Sequence, residues 1–285
     1  MVRASDPLLV GLLDDAALFP PGSAPMADAL ASHADYRGST WSAVVGPFLC
    51  PASRIDELLA ATAADSNTAQ VPIALAMVLD VGDDGAHQAL RAAATSTAVN
   101  LVTVEVAHEH LGDDAAEVGT NLDRAMTVTG VLEAPRTGFE QTLDLVGTPG
   151  WQVAKYRTGG VVADAFPTEA ELAAFLVAAT SRGVPFKLTA GLHHAVRHTT
   201  AKGFEAPGVL NVLVATRTAQ AAGGTAEVAA TLAERDADVL VEAVRSWDST
   251  AGADVRRSLR SVGCCGVTEP LDDLRTLGLF DDGEL

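Results

Sequence analysis

From residue 41 onward, apolar runs of about seven residues alternate with helical stretches of about twelve to sixteen, the rhythm of βαβ units. The runs occupy 41–50, 71–80, 100–107, 130–134, 152–157 and 185–192. The helical stretches between them begin near Ser53, Asp83, Asp113, Gly138 and Thr168. Ser53-Arg-Ile-Asp-Glu57 and Thr168-Glu-Ala-Glu171 place a capping hydroxyl ahead of acids, which suit a helix N-terminus. Beyond His198, residues 208–222 and 225–247 read as helices separated by Gly223-Gly224. A helix over 253–260, a last strand over 261–266 and a closing helix over 271–277 complete the chain. The count is six clear strands, a seventh at 261–266 and room for one more. The expected fold is a TIM-barrel-like (β/α) barrel, with fewer than eight regular strands allowed, and the alternative is an open doubly wound parallel sheet. Both place function at the C-terminal ends of the strands.

Residues 1–40 lie outside that rhythm. A short helix is expected over 8–18, stopped by Phe19-Pro20-Pro21-Gly22 because proline cannot continue a helix. A second helix over 24–36 ends at Arg37-Gly38. The chain therefore divides into an irregular, helical segment over 1–40 and a single barrel-like catalytic domain over 41–285.

With 48% apolar residues, the 285-residue chain can bury a sizeable core. Its longest apolar runs are too short to span a bilayer, and Asp14 and Asp15 interrupt the only early run, so neither a membrane partner nor a signal segment is expected. A net charge of −18 repels phosphate backbones and argues against nucleic acid. Cys264 and Cys265 are adjacent and Cys50 is distant, which implies no disulfide framework and a reducing, cytoplasmic setting. The expected partner is a small-molecule substrate, with a homo-oligomer left open.

The chain holds three lysines against sixteen arginines, and all three fall between Trp151 and Lys202. Lys155 and Lys187 sit inside apolar runs, while Ala201-Lys202-Gly203 reads as an exposed loop. Lysine is almost never fully buried unless paired, and its pKa shifts readily when it is. Side chains alternate along a strand. Val153, Lys155 and Arg157 then share one face, as do Lys187, Thr189 and Gly191 on the next run. Thr103, Glu105 and Ala107 share a face of the third run, and Val131 with Glu133 a face of the fourth. If those faces line a barrel, Glu105, Glu133, Lys155, Arg157 and Lys187 converge. The plainer reading is a buried ion-pair network that serves only the fold. The catalytic reading is that two close cations make one amine neutral near pH 7, able to attack a carbonyl and form a Schiff base.

On these residues the sequence resembles the class I aldolases, most nearly the deoxyribose-phosphate aldolases. Those enzymes carry a Schiff-base lysine on one barrel strand and a second lysine on the next. Lys155 with Thr158 and Gly159 is similar to the first motif, and Lys187 followed by Ala190 and Gly191 to the second. Arg157 departs from the small residue of the family pattern, and Leu192-His193-His194 stands where a second glycine and a phosphate-binding turn belong. The resemblance implies a lyase, aldolase or isomerase acting on a small anionic or polyol-like carbonyl metabolite. Arg157 with Gly159-Gly160 would hold a carboxylate or phosphate.

The histidines form a second constellation. His193, His194 and His198 follow the sixth run, and His108 and His110 follow the third, near Glu105. One of His193 or His194 would serve as general acid or base. Together with a carboxylate from Glu105 or Glu133, His193, His194 and His198 would instead bind a divalent metal in a hydrolase or isomerase. No other cofactor is expected. A third reading is a non-catalytic small-molecule-binding barrel. Asp14 and Asp15 would either close the bottom of the barrel or reach the site. Cys264 and Cys265 would need a base partner that the sequence does not locate.

Overall fold

The computed structural model describes residues 2–3, 6–63, 71–111, 114, 118–121 and 128–281. Eight parallel strands close into a barrel: β1 (Leu13–Asp15), β2 (Val45–Pro51), β3 (Ile73–Val78), β4 (Val99–Ala107), β5 (Thr129–Glu133), β6 (Val153–Arg157), β7 (Phe186–Thr189) and β8 (Leu259–Cys264). Each pairs with its neighbours in sequence, and β8 returns to pair with β1 through Val262 on Leu13 and Gly263 on Asp14. This is a TIM-type (β/α) barrel, not the open sheet.

The strand that completes the count, β1, lies where a helix was expected. The apolar spacing of Leu8, Leu9, Leu12 and Leu13 imitates a helix, but residues 7–11 form turns and Gly11 adopts a positive φ of 60°. Its amide bonds to the Ala43 carbonyl at 2.8 Å, which aims the next residues along β2. Leu13, Asp14 and Asp15 are all buried, so β1 shows no alternation. Residues 13–15 of this segment therefore supply a strand of the barrel itself.

The outward faces pack against helices. Phe48, Cys50, Leu75 and Met77 of β2 and β3 meet Ala29 of α1 (Met26–Gly38), Leu58 of α2 (Ile55–Ala63) and Ala89 of α3 (Asp83–Thr95). After β5 comes a short α4 (Glu140–Leu145). On the other side, Tyr156 of β6 stacks on Phe175 of α5 (Glu169–Ser181) with centroids 4.4 Å apart, and Phe186 of β7 meets the same ring edge-on. Thr168 and Glu171 form the expected capping box on α5. Ser53 does not cap: its hydroxyl donates to Asp80 at 2.5 Å, and α2 begins at Ile55. The helix start expected near Asp113 lies outside the described residues.

Between β7 and β8 the chain inserts α6 (Val209–Gln220), α7 (Thr225–Ala233), α8 (Ala237–Arg245) and α9 (Ser249–Ser258). The single helix expected over 225–247 breaks because Asp236 accepts from the Asp238 amide and starts α8 anew. The closing helix α10 (Thr268–Thr276) follows β8. Among the described residues no helix is long and apolar enough to cross a membrane.

Candidate functional site

The inward faces of six strands carry the polar groups of the interior. Lys155 on β6 lies directly beside Lys187 on β7, and Glu133 on β5 beside Lys155. Both lysines are 3% exposed and Glu105 of β4 is fully buried. The two ammonium groups share Glu105: Lys155 Nζ donates to Oε2 at 2.7 Å and Lys187 Nζ to Oε1 at 2.6 Å. Each lysine has one more carboxylate. Lys155 lies 2.9 Å from Glu133 Oε2, and Lys187 lies 2.5 Å from Asp14 Oδ2. The Ser261 hydroxyl on β8 also donates to Asp14 Oδ2, at 2.6 Å. At the open end Arg157 donates to Glu133 Oε1 through Nε at 3.2 Å and Nη2 at 3.0 Å. A continuous chain results: Arg157, Glu133, Lys155, Glu105, Lys187, Asp14 and Ser261.

The sequence therefore brings together Glu105, Glu133, Lys155, Arg157 and Lys187 as expected, and the structure adds Asp14 and Ser261. Asp14 and Asp15 are adjacent in sequence and opposite in direction. Asp14 joins the network, whereas Asp15 accepts from the His33 ring of α1 at 2.9 Å, in a pair that is almost fully buried. Gly46 of β2 makes room for Asp14, because a Cβ there would sit 2.2 Å from Asp14 Oδ1. The signals available in the sequence were an acid inside an apolar run and a glycine at the matching place on the next strand.

Burial and pairing compete at every member. Burial alone would lift Glu105, but Lys155 and Lys187 outweigh it and hold the carboxyl down at about 2. Burial would lower both lysines, yet their carboxylates outweigh it and both rise above the ordinary lysine value. Asp14 is the exception: burial outweighs Lys187 and Ser261, and its pKa rises. The resting site thus holds both lysines as ammonium, not as the neutral amine that repulsion between two cations alone would give.

The loops after β6 and β7 pack against each other. The Thr158 hydroxyl donates to the Thr189 and Ala190 carbonyls. A Cβ on Gly159 would lie 2.7 Å from Gly191 Cα, and one on Gly160 would lie 2.6 Å from Ala165 Cβ. Ala190 and Gly191 both have positive φ, 64° and 78°. A left-handed alanine is strained by about 1–2 kcal/mol. Here it turns the chain sharply off the end of β7. A cavity of about 210 Å³ opens beside this rim, with Glu133, Arg157, Arg136 and Tyr156 among its walls.

The histidines do not assemble as a metal site. His193 Nδ1 faces Glu269 at 2.6 Å, and His194 Nδ1 faces Asp273 at 2.9 Å. His198 lies edge-on to His194, with ring centroids 4.3 Å apart, at the start of a short strand. Among the described residues no three His, Cys, Asp or Glu side chains lie together in a way that could hold a metal ion. His108 is buried against the Thr142 hydroxyl at 2.6 Å. No known protein family, characterised protein or solved structure matches this chain.

Proposed function

We propose that the barrel is an enzyme acting on a small anionic carbonyl compound, with lyase or isomerase chemistry through a Schiff base on Lys155. The observation that carries the reading is the Glu133 bridge. One of its oxygens holds buried Lys155 and the other holds Arg157, whose side chain is 51% exposed at the mouth. Lys187 lies deeper in the chain of contacts, between two buried acids.

A protonated lysine is no nucleophile, so the reaction needs a way to remove one proton. The bridge supplies it. An anionic substrate group draws the Arg157 guanidinium away from Glu133 into a bidentate contact of its own. Glu133 then keeps only one cation, its proton affinity rises, and it accepts a proton from Lys155 Nζ. The neutral amine attacks the substrate carbonyl carbon; Glu133 returns its proton to the carbinolamine hydroxyl, which leaves as water, and the iminium remains. Lys187 remains charged beside it and favours electron flow toward the iminium nitrogen. Deprotonation is thereby tied to arrival of the correct substrate, which keeps a reactive amine from standing open in its absence.

Borohydride reduction in the presence of small keto acids and aldehydes tests this. The expected product is one reduced adduct at Lys155, read by peptide mapping, and its loss in Lys155→Met. Arg157→Ala should lower trapping with keto acids far more than with uncharged aldehydes. Adducts confined to Lys202, or spread equally over all three lysines, would sink the proposal.

A further inference from the structure

A second constellation stands at the same end of the barrel and shares no residue with the lysine network. Cys265 follows directly on β8, with its sulfur 3.5 Å from His193 Nε2. The other ring nitrogen, Nδ1, lies 2.6 Å from Glu269 Oε2 on α10. This is the order of a nucleophile, a base and a group that orients the base. All three residues line a cavity of about 490 Å³ at the mouth, together with Gly22, Phe166, Lys202 and Phe204.

Two glycines make the contacts possible. A Cβ on Gly266 would lie 2.6 Å from Glu269 Oε2, so a side chain there would displace the acid from His193. A Cβ on Gly22 would lie 3.0 Å from Cys265 Cβ and 3.3 Å from its sulfur, crowding the thiol from the cavity side. The three cysteines also differ in setting. Cys50 is buried and its thiol is pushed up to about 12 by burial. Cys264 is buried; its sulfur contacts the Gly266 and Leu192 carbonyls at 3.3 and 3.6 Å and lies 3.9 Å from His193 Nδ1, the nitrogen that Glu269 already faces at 2.6 Å. Cys265 is partly exposed and has the imidazole beside it.

We infer that Cys265, His193 and Glu269 form a nucleophilic triad for acyl transfer from small esters or thioesters. This goes beyond the Schiff-base reading and does not rest on it. His193 Nε2 takes the thiol proton, and the thiolate adds to the acyl carbon. The tetrahedral adduct collapses as the C–O or C–S bond to the leaving group breaks. The imidazolium returns its proton to the departing alkoxide or thiolate. Water, deprotonated by the same nitrogen, then hydrolyses the thioester on Cys265 and releases a carboxylic acid. Phe166 and Phe204, with ring centroids 5.1 Å apart, give the acyl chain an apolar wall. Lys202, the exposed lysine of the chain, lies on the same wall system and suits an acyl group with an anionic end.

The test uses the whole chain with two probes, iodoacetamide and p-nitrophenyl acetate. Iodoacetamide at pH 7 is expected to label Cys265 before Cys50 and Cys264, at a rate about a hundredfold above that of the His193→Gln variant. p-Nitrophenyl acetate should give a burst of nitrophenolate and an acetyl group on Cys265, lost in Cys265→Ala. Glu269→Gln, which changes one half-exposed carboxylate and leaves the core untouched, should slow both reactions about tenfold or more and serves if His193→Gln misfolds. Labelling of Cys265 at the rate of a simple thiol, unchanged by either variant, would overturn the triad. So would acetylation at Lys202 with Cys265 left free. Borohydride trapping at Lys155 is indifferent to all three substitutions, so this failure and that of the Schiff-base reading are distinguishable.

Discussion

The interior network and the rim triad both set carboxylates beside basic groups, yet their surroundings differ sharply. In the interior, Glu105 and Lys155 have side chains 0% and 4% exposed; at the rim, His193 and Glu269 are 21% and 52% exposed. Where water is excluded, Coulomb attraction is strong and each ion depends on its partners. Protonation states are then fixed, with Glu105 far below its ordinary value and both lysines above theirs. At the rim the same chemistry is loosely held and its partners are separable. In the two proposed reactions charge changes hands at the rim and at the Glu133–Arg157 bridge, while the interior keeps its charges paired.

The sharpest way to break this comparison is to remove the shared carboxylate. Glu105→Gln leaves Lys155 and Lys187 each short of one anion in a dry interior. Removing one partner of a buried pair costs about 3–5 kcal/mol, and this one serves two. Urea unfolding should show a loss of that size. A loss below about 1 kcal/mol would mean that water reaches the network and that interior and rim are alike.

The pH dependence of the same difference comes next. Glu105 has a folded value near 2, against about 4.3 for an unperturbed glutamate. A depressed carboxyl contributes stability above its unfolded pKa and loses it as pH falls through the folded one. The gap between the native chain and Glu105→Gln should therefore stand full at pH 6 and shrink by about 2 kcal/mol between pH 4 and 2. Asp14 has the opposite sign. Its raised value favours the folded state on acidification, so Asp14→Asn should steepen the acid loss. An acid limb identical in the native chain and Glu105→Gln would remove Glu105 as its source.

Gly46→Ala is expected to have a smaller effect. Its Cβ would meet Asp14 Oδ1 at 2.2 Å and force the carboxylate off Lys187. Overpacking of this kind costs about 1–3 kcal/mol. The loss should be smaller in an Asp14→Ala background, where nothing stands in the way. Equal losses in both backgrounds would mean that the cost is one of backbone, not of the network.

Most of the barrel was legible because most of its strands are long enough to show their period. The charged members on β4 to β7 could be placed because one acid or base inside an apolar run stands out, and alternation says which way it points. Asp14 could not. Its strand is three residues long, buried on both faces, and preceded by turns whose leucines mimic helical spacing. Neither could the partnership of Cys265, His193 and Glu269. Cys265 and His193 are 72 residues apart, and only the return of β8 beside β7 brings their loops together. The lysine-bearing motifs on β6 and β7 were visible as local patterns, but the carboxylates that fix their charge come from three other strands. Composition identified the lysines as unusual and could not say that both would be held as ammonium.

The smallest expected effect sits at the rim, and it sharpens the contrast because it separates stability from reactivity. Glu269→Gln removes the acid facing His193, yet the pair is half in water. Exposed ion pairs contribute about 0.2–1 kcal/mol. Urea unfolding of Glu269→Gln should therefore shift by less than about 1 kcal/mol, while alkylation of Cys265 slows about tenfold or more. The reason for the split is geometric. In the proposed triad Glu269 orients the ring that exchanges a proton with Cys265, a role in reactivity. Folding leans little on it, since α10 is anchored by Leu271 and Leu274 in the core. A stability loss as large as that of Glu105→Gln, with Cys265 reactivity unchanged, would place Glu269 among the structural ions and leave the rim with no chemistry of its own.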